Sequence, residues 1–424
     1  MIHLLTHSKH RNFQRLWFAQ LLSQFGDRIH QFALIKLVAE RASGSPMELA
    51  KLLAFTIIPV FLIQPFAGVL VDRWDRKKIL FICDVARGLL VLTIPFIFMY
   101  KNTMLPIYGV VFLVFCCSRF YLPAKMSILP DIVDEKYLFK ANSLVSTTGM
   151  IAFVMGCALG GFLVDHFGAR NGFLIDAGTF FLSGMILFNL VPPLKIDKKA
   201  IIKTGKEIVG PMRQSLWQEM KEGFVYAMTH KEIRLIIDML FVVLFAGGAV
   251  YVVIIVFIQE AFGSVTKDLG VLAVCLGAGL FIGSILYGKW GEKSAWQKTI
   301  FTCLIGGGFM LIAFAVMVSI YPNIWIAMAL ACLWGIVIGP IFIAANAVAH
   351  MVSDESMRGK VFSAFEIVIH LAFLLSMFLS SWLATFIPHL WILIGAGVMI
   401  AVVGGGGLVM GRSNINKNLH NVTL

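Results

Sequence analysis

The sequence predicts an all-α membrane protein of twelve transmembrane helices in two six-helix bundles, and three observations predict it. Of the 424 residues, 59% are hydrophobic and only 14% charged, with mean hydropathy +0.87, whereas soluble domains carry roughly 25% charged residues. Apolar runs of about 20 residues, the length that crosses a bilayer, recur along the whole chain. The two halves also repeat at an offset of 220 residues without gaps: Gly68 answers to Gly288, Asp72 to Glu292, Arg73 to Lys293, Asp134 and Glu135 to Asp354 and Glu355, Lys140 to Lys360, and Ser143 to Ser363. A parallel repeat of this kind is an architecture that transporters use, with a site midway between the halves.

In chain order the spans are expected at 13–40, 49–71, 79–100, 104–122, 137–164 and 171–191 in an N-terminal bundle (1–191), and at 233–259, 268–289, 297–319, 324–350, 358–386 and 388–410 in a C-terminal bundle (233–411). With the N-terminus inside, the inner loops hold Lys9, Arg11 and Arg15, the cluster at 73–78, Lys125 and Lys136, the segment 192–232, Lys289, Lys293, Lys298, Arg358, Lys360, and Arg412 and Lys417 in a tail at 412–424. The outer loops hold little beyond Arg41, Lys101, Arg170 and Lys267. That asymmetry sets both termini in the cytoplasm of a multi-pass protein of the inner cell membrane. It also explains the net charge of +12 without nucleic acid, because the bases face lipid phosphates loop by loop. Segment 192–232 opens with Pro192-Pro193 and then places Leu216, Met220, Phe224 and Ala227 at helical spacing, the pattern of a tether that includes a helix lying on the inner leaflet. The first span is too polar and long for a cleaved signal.

The tightest connection lies between spans 2 and 3. Seven residues, Asp72 to Lys78, carry two acids and four bases, a cytoplasmic hairpin under the positive-inside rule. Gly68, Leu70, Asp72, Arg73 and the bases that follow resemble the loop between helices 2 and 3 of the major facilitator superfamily, with Asp75 where that family usually has a second glycine. Arg119 to Asp131 and Ala141-Asn142-Ser143-Leu144 resemble the helix 4–5 region of its macrolide- and enterobactin-exporter branch, notably at Arg119 and Asn142. Asp84 to Arg87 and Ile175-Asp176-Ala177 resemble that branch's helices 3 and 6. Gly156, Gly160 and Gly161 resemble the helix-5 packing motif of superfamily antiporters, with Cys157 in place of its proline. The resemblance implies a secondary transporter working by alternating access, in which Gly68, Asp72, Arg73, Arg76 and Arg358 form a cytoplasmic gate. It further implies export of a small amphipathic molecule, drug- or siderophore-like, by proton antiport.

Charges at membrane depth are expensive and are read as functional candidates. Gln20, Gln24 and Asp27 recur at i, i+4, i+7 and form one polar stripe on span 1, which must face protein or a cavity. Asp27 is the leading candidate for a proton-exchanging or cargo-facing carboxylate, against a buried pair with Arg28 or a base from another helix. Asp84 and Arg87 stand at i, i+3 and are read as a structural ion pair. Asp176 has no basic neighbour on its own helix and needs a partner elsewhere. Glu366 and His370, at i, i+4 on span 11, form either a proton relay or a mutual hydrogen bond.

Seven cysteines lie scattered in apolar runs with no metal-ligand spacing. Gly26-Asp27-Arg28 with Phe32-Ala33 also resembles ferroportins, but no metal and no cofactor are expected. No glycine-rich phosphate cradle and no nucleophile–base constellation is present, which argues against an enzyme or an ATP-driven pump. The expected partners are a small amphipathic substrate, a proton as coupling ion and membrane lipid, with the chain a monomer. Two alternatives stay open: a lysophospholipid flippase, resembled at Pro123-Ala124-Lys125 and Ala141-Asn142, and a membrane sensor or scaffold that does not transport.

Overall fold

The computed structural model describes residues 10–42, 45–100, 103–190, 225, 229, 231–290, 296–352 and 358–420. Among them the regular elements are helices: α1 (Arg11–Ala42), α2 (Pro46–Leu62), α3 (Gln64–Arg73), α4 (Arg76–Tyr100), α5 (Leu105–Ile132), α6 (Glu135–Phe188), α7 (Lys231–Phe262), α8 (Lys267–Trp290), α9 (Trp296–Ile320), α10 (Ile324–Val352), α11 (Arg358–Leu383) and α12 (His389–His420). Within the described residues, eight helices are long and apolar enough to cross a membrane. One of them, α6, is 54 residues long and turns at Gly168, whose φ of 82° is open to glycine without strain; it supplies two spans, limbs on either side of that residue. α1 carries too many charges to pass an apolarity test, and α2 and α3 are one span broken at Ile63, with a proline opening α3. The expected tail at 412–424 begins inside α12, which continues to His420. The expected connector 192–232 lies almost wholly outside the described residues.

Local chemistry explains the helix ends. Ser45 opens α2 with its hydroxyl accepting from the Glu48 amide, and Pro46 occupies the first turn, the serine–glutamate capping pattern. Asp75 opens α4: its carboxylate accepts from the amides of Lys77 at 3.1 Å and Lys78 at 3.3 Å. A side chain that caps a helix does work a glycine cannot, which accounts for the acid at this position of the hairpin.

α5 corrects the sequence expectation most. It runs to Ile132, not to residue 122, and so draws Lys125 out of the inner loop into a buried helical position. Pro123 and Pro130 lie inside it. Prolines are tolerated within membrane helices because neighbouring groups re-satisfy the backbone they free.

The chain divides into two compact units, Met1–Leu216 with Val265–Gly270, and Trp217–Ser264 with Val271–Leu424. In the first, α1 packs along both limbs of α6. Trp17 donates to Thr148 at 2.8 Å, Gln24 meets Gly149, Arg28 meets Gly156, Phe32 meets Gly160, and Lys36 lies 3.4 Å from Asp165. The contacts advance in the same direction along both helices, so α1 and the first limb run parallel. The second limb runs the other way, with Gly26, His30 and Ala33 meeting Thr179, Asp176 and Gly172. Phe13, Leu16, Val71, Leu80, Ile128 and Leu187 join these helices at one end in a fully enclosed core. In the second unit small residues also set the spacing. A Cβ on Gly308 would meet Gly397 O at 2.4 Å across α9 and α12, and one on Gly279 would meet Cys332 O at 2.0 Å across α8 and α10, as close packing in lipid demands.

A buried charge cluster as candidate transport site

Four elements of the first unit bring their polar side chains to one place. α4 contributes Asp84 and Arg87, one turn apart and both buried. The Arg87 guanidinium pairs with Asp84, and Ser183 on the second limb of α6 donates to the other oxygen of that carboxylate at 2.5 Å. The Arg87 Cζ also lies over two rings, 4.5 Å from the centre of Tyr121 and 4.3 Å from that of Phe180. Carboxylate and π-faces stand in for much of the water that the cation gives up.

The remaining edge of Arg87 faces α1. Its Nη2 donates to Ser23 at 3.4 Å, and its Nη1 lies 3.7 Å from Asp27 Oδ1. The two partners differ in exposure. The Asp84 side chain is 0% exposed and that of Asp27 is 39% exposed. Asp84 is therefore locked, and Asp27 has an open edge. Arg28, its sequence neighbour, turns away to Gln31 at 3.0 Å and to the Phe153 ring.

Next along α1, His30 Nδ1 stands 2.9 Å from Asp176 Oδ2, both buried. The two do not align as a hydrogen bond, so the contact is electrostatic. It supplies the partner Asp176 needs from a different helix. Gly26 makes the approach possible: a Cβ there would sit 1.9 Å from Thr179 Oγ1 and 2.6 Å from Asp176 Oδ1.

The predicted stripe on α1 divides. Gln20 is buried and donates to Val145 O at 3.2 Å, and Gln24 lies over Gly149, so both face the first limb of α6 while Asp27 faces Arg87. Gly156 and Gly160 accommodate Arg28 and Phe32, and Gly161 backs on the stretch 265–270, with Thr266 donating to its carbonyl at 2.9 Å. Arg119, on α5, donates to Gln64 at 3.4 Å, and Asn142 is exposed near the start of α6. Of the expected gate, Arg73 is exposed. Arg76 turns into its own unit, 2.6 Å from Asp131 and donating at 2.9 Å to Ser127 O on α5. Gly68 lies within α3, the side chains of Asp72, Arg358 and Glu366 lie outside what the structure describes, and His370 is half-buried on α11. Among the described residues no three His, Cys, Asp or Glu side chains converge as metal ligands.

Sequence reasoning missed Lys125, Tyr121, Ser183 and the part played by His30. Tyr121 and Lys125 are four residues apart, a one-face spacing that a longer span 4 would have exposed.

The chain is 34% identical over 172 residues to the uncharacterized MFS-type transporter YfiS of Bacillus subtilis, a match spanning 41% of this chain and 40% of that protein. It is 26% identical to the putative bacilysin exporter BacE of Bacillus subtilis over 80% of each chain. It is also 26% identical to macrolide efflux protein A of Streptococcus pyogenes over 68% of each. The fold matches the crystal structure of a bacterial homologue of the human lysosomal transporter Spinster, with TM-score 0.67 and 16% identity over 97% of this chain and 99% of that one. These relatives are transporters, not enzymes. The Major Facilitator Superfamily model matches residues 16–251 and 237–413, and the chain, a multi-pass membrane transporter, belongs to that family.

Proposed function

We propose that the chain is a proton-coupled exporter of small amphipathic molecules that works by alternating access, with Asp27 as the carboxylate that exchanges the proton. The observation that carries this reading is the unequal treatment of two acids around one arginine. Asp84 is sealed against Arg87, whereas Asp27 keeps 39% of its side chain open beside the same cation. An acid at membrane depth with an open edge and a loose cationic partner has two accessible states, protonated and released or ionised and paired. Cargo or proton then competes with Arg87 for it, which is the differential contact a two-state carrier needs. The export direction is supported by relatives named for efflux. The bases of the inner loops support an inner-membrane protein with both termini in the cytoplasm.

The test uses purified protein in proteoliposomes carrying an internal pH dye. Adding a macrolide is expected to release protons in the unaltered protein, and Asp27→Asn is expected to abolish that release while cargo still binds. Proton movement unchanged by Asp27→Asn rules out the coupling role.

A further inference from the structure

The cluster holds three acids, Asp27, Asp84 and Asp176, and three bases, His30, Arg87 and Lys125, and they are not all in contact as pairs. Arg87 is bound to Asp84, and His30 stands against Asp176. That leaves Asp27 on α1, loosely held at the edge of Arg87, and Lys125 on α5. Lys125 is only 6% exposed, yet among the described residues it makes no hydrogen bond and no ion pair. An ammonium at this depth with no ion pair of its own draws an anionic group to it. Its position is fixed by Tyr121, one turn earlier on the same face of α5, whose ring lies on Arg87. Lys125 therefore stands one turn along α5 from the residue whose ring lies on Arg87, with Asp27 and Arg87 within its electrostatic reach. Asp27 is the one acid of this group with an open edge. An unpartnered cation and a partly open anion thus sit on neighbouring helices of a single cluster.

We infer that the cargo is zwitterionic, its anionic group, a carboxylate or phosphate, seated on Lys125 and its cationic group on Asp27. The inference rests on the reading of this cluster as the cargo site. A cation alone would satisfy Asp27 and leave Lys125 unpaired. An anion alone would satisfy Lys125 and be repelled by Asp27. A cargo with both charges completes both, and its cationic end displaces the Asp27 proton, in keeping with antiport. Arg87 cannot serve as the anion receptor, because Asp84 and the two aromatic faces already enclose it.

The experiment is equilibrium binding to the full-length protein in nanodiscs at neutral pH, corrected against empty nanodiscs, with three radiolabelled probes of equal chain length. These are N-octyl-N,N-dimethylglycine (zwitterion), octyltrimethylammonium (cation) and octanoate (anion). The zwitterion is expected to bind at least tenfold more tightly than either singly charged probe. Lys125→Met is expected to erase that preference, bringing zwitterion and cation within twofold of each other, and Lys125→Arg to retain most of it. Should Lys125→Met fail to elute as a single species, the ranking in the unaltered protein and in Lys125→Arg still decides. A cation bound as tightly as the zwitterion overturns the inference, as does a preference that survives Lys125→Met. These readings use no proton gradient, so loss of proton coupling in the preceding test would leave them standing. Absence of saturable binding by any probe would remove the cargo-site reading and this inference together.

Discussion

At the scale of single residues, Arg87 holds the cluster together and Asp27 is its partly open acid. Removing one partner of a buried ion pair leaves the other charge stranded, whereas removing both leaves an apolar contact. Arg87→Leu strands Asp84, which is 0% exposed, and is expected to destabilise the protein by about 3–5 kcal/mol. Asp84→Leu combined with Arg87→Leu is expected to recover much of that loss, measured as the thermal unfolding midpoint in detergent by tryptophan fluorescence. If the double variant is as unstable as the single, Arg87 is held chiefly by its ring contacts and not by the carboxylate. This pair was legible in the sequence, because a three-residue spacing of opposite charges inside an apolar run has few other solutions in lipid. Asp27 was legible for the same reason. The pairing of His30 with Asp176 was not, since no periodicity relates residues so distant along the chain, and Lys125 was concealed by prolines that read as a helix end.

At the scale of elements, the ends of α2 and α4 show how polar side chains stitch helices where the bilayer gives way to water. Glu48, in the first turn of α2, takes a bond from Lys51 at 2.6 Å and another from the Tyr108 hydroxyl on α5. These two bonds, Lys51 first, hold its carboxyl below the ordinary glutamate range, against an opposing effect of burial. A depressed folded value means the ionised form is favoured by folding. The stabilisation is therefore fully present above the unfolded-state pKa of about 4.3 and is lost as pH falls through the lower folded value. Glu48→Gln is expected to lower stability by roughly 1 kcal/mol at neutral pH and to flatten the acid limb of a melting-temperature series between neutral pH and pH 3. An acid limb unchanged by the substitution would show that other carboxylates govern it. The capping aspartate of α4 was visible in the sequence only as a departure from a family pattern; its role emerged once the two amides it accepts from were placed. The glycines of α6 were legible as a packing face. Which helix fills each one was not, because a small-residue stripe states that something approaches closely and not what approaches.

At the scale of the whole molecule, the order of helices fixes on which side of the membrane each connection must lie, and orientation in turn fixes the sense of coupling. The hairpin between α3 and α4 carries Arg73, Arg76, Lys77 and Lys78, whereas the turn between the two limbs of α6 exposes Arg170 and Asn171 beside Gly168. Two further membrane crossings, α5 and the first limb of α6, follow α4 before that turn, so the hairpin and the turn must face opposite sides. In the proposed orientation, with positive charge retained on the cytoplasmic side, the hairpin faces inward and the turn outward. Arg170→Cys, made in a background with the seven native cysteines replaced, is expected to react with a membrane-impermeant maleimide in intact cells. Lys78→Cys in the same background is expected to react only after the cells are opened. The reverse pattern would invert the chain, place the basic loops outside, and turn a proton gradient that drives export into one that drives uptake through the same Asp27. Because three crossings separate the two positions, labelling of both sites from one side would instead mean that α4, α5 or the first limb of α6 does not cross, and would break the twelve-span architecture itself.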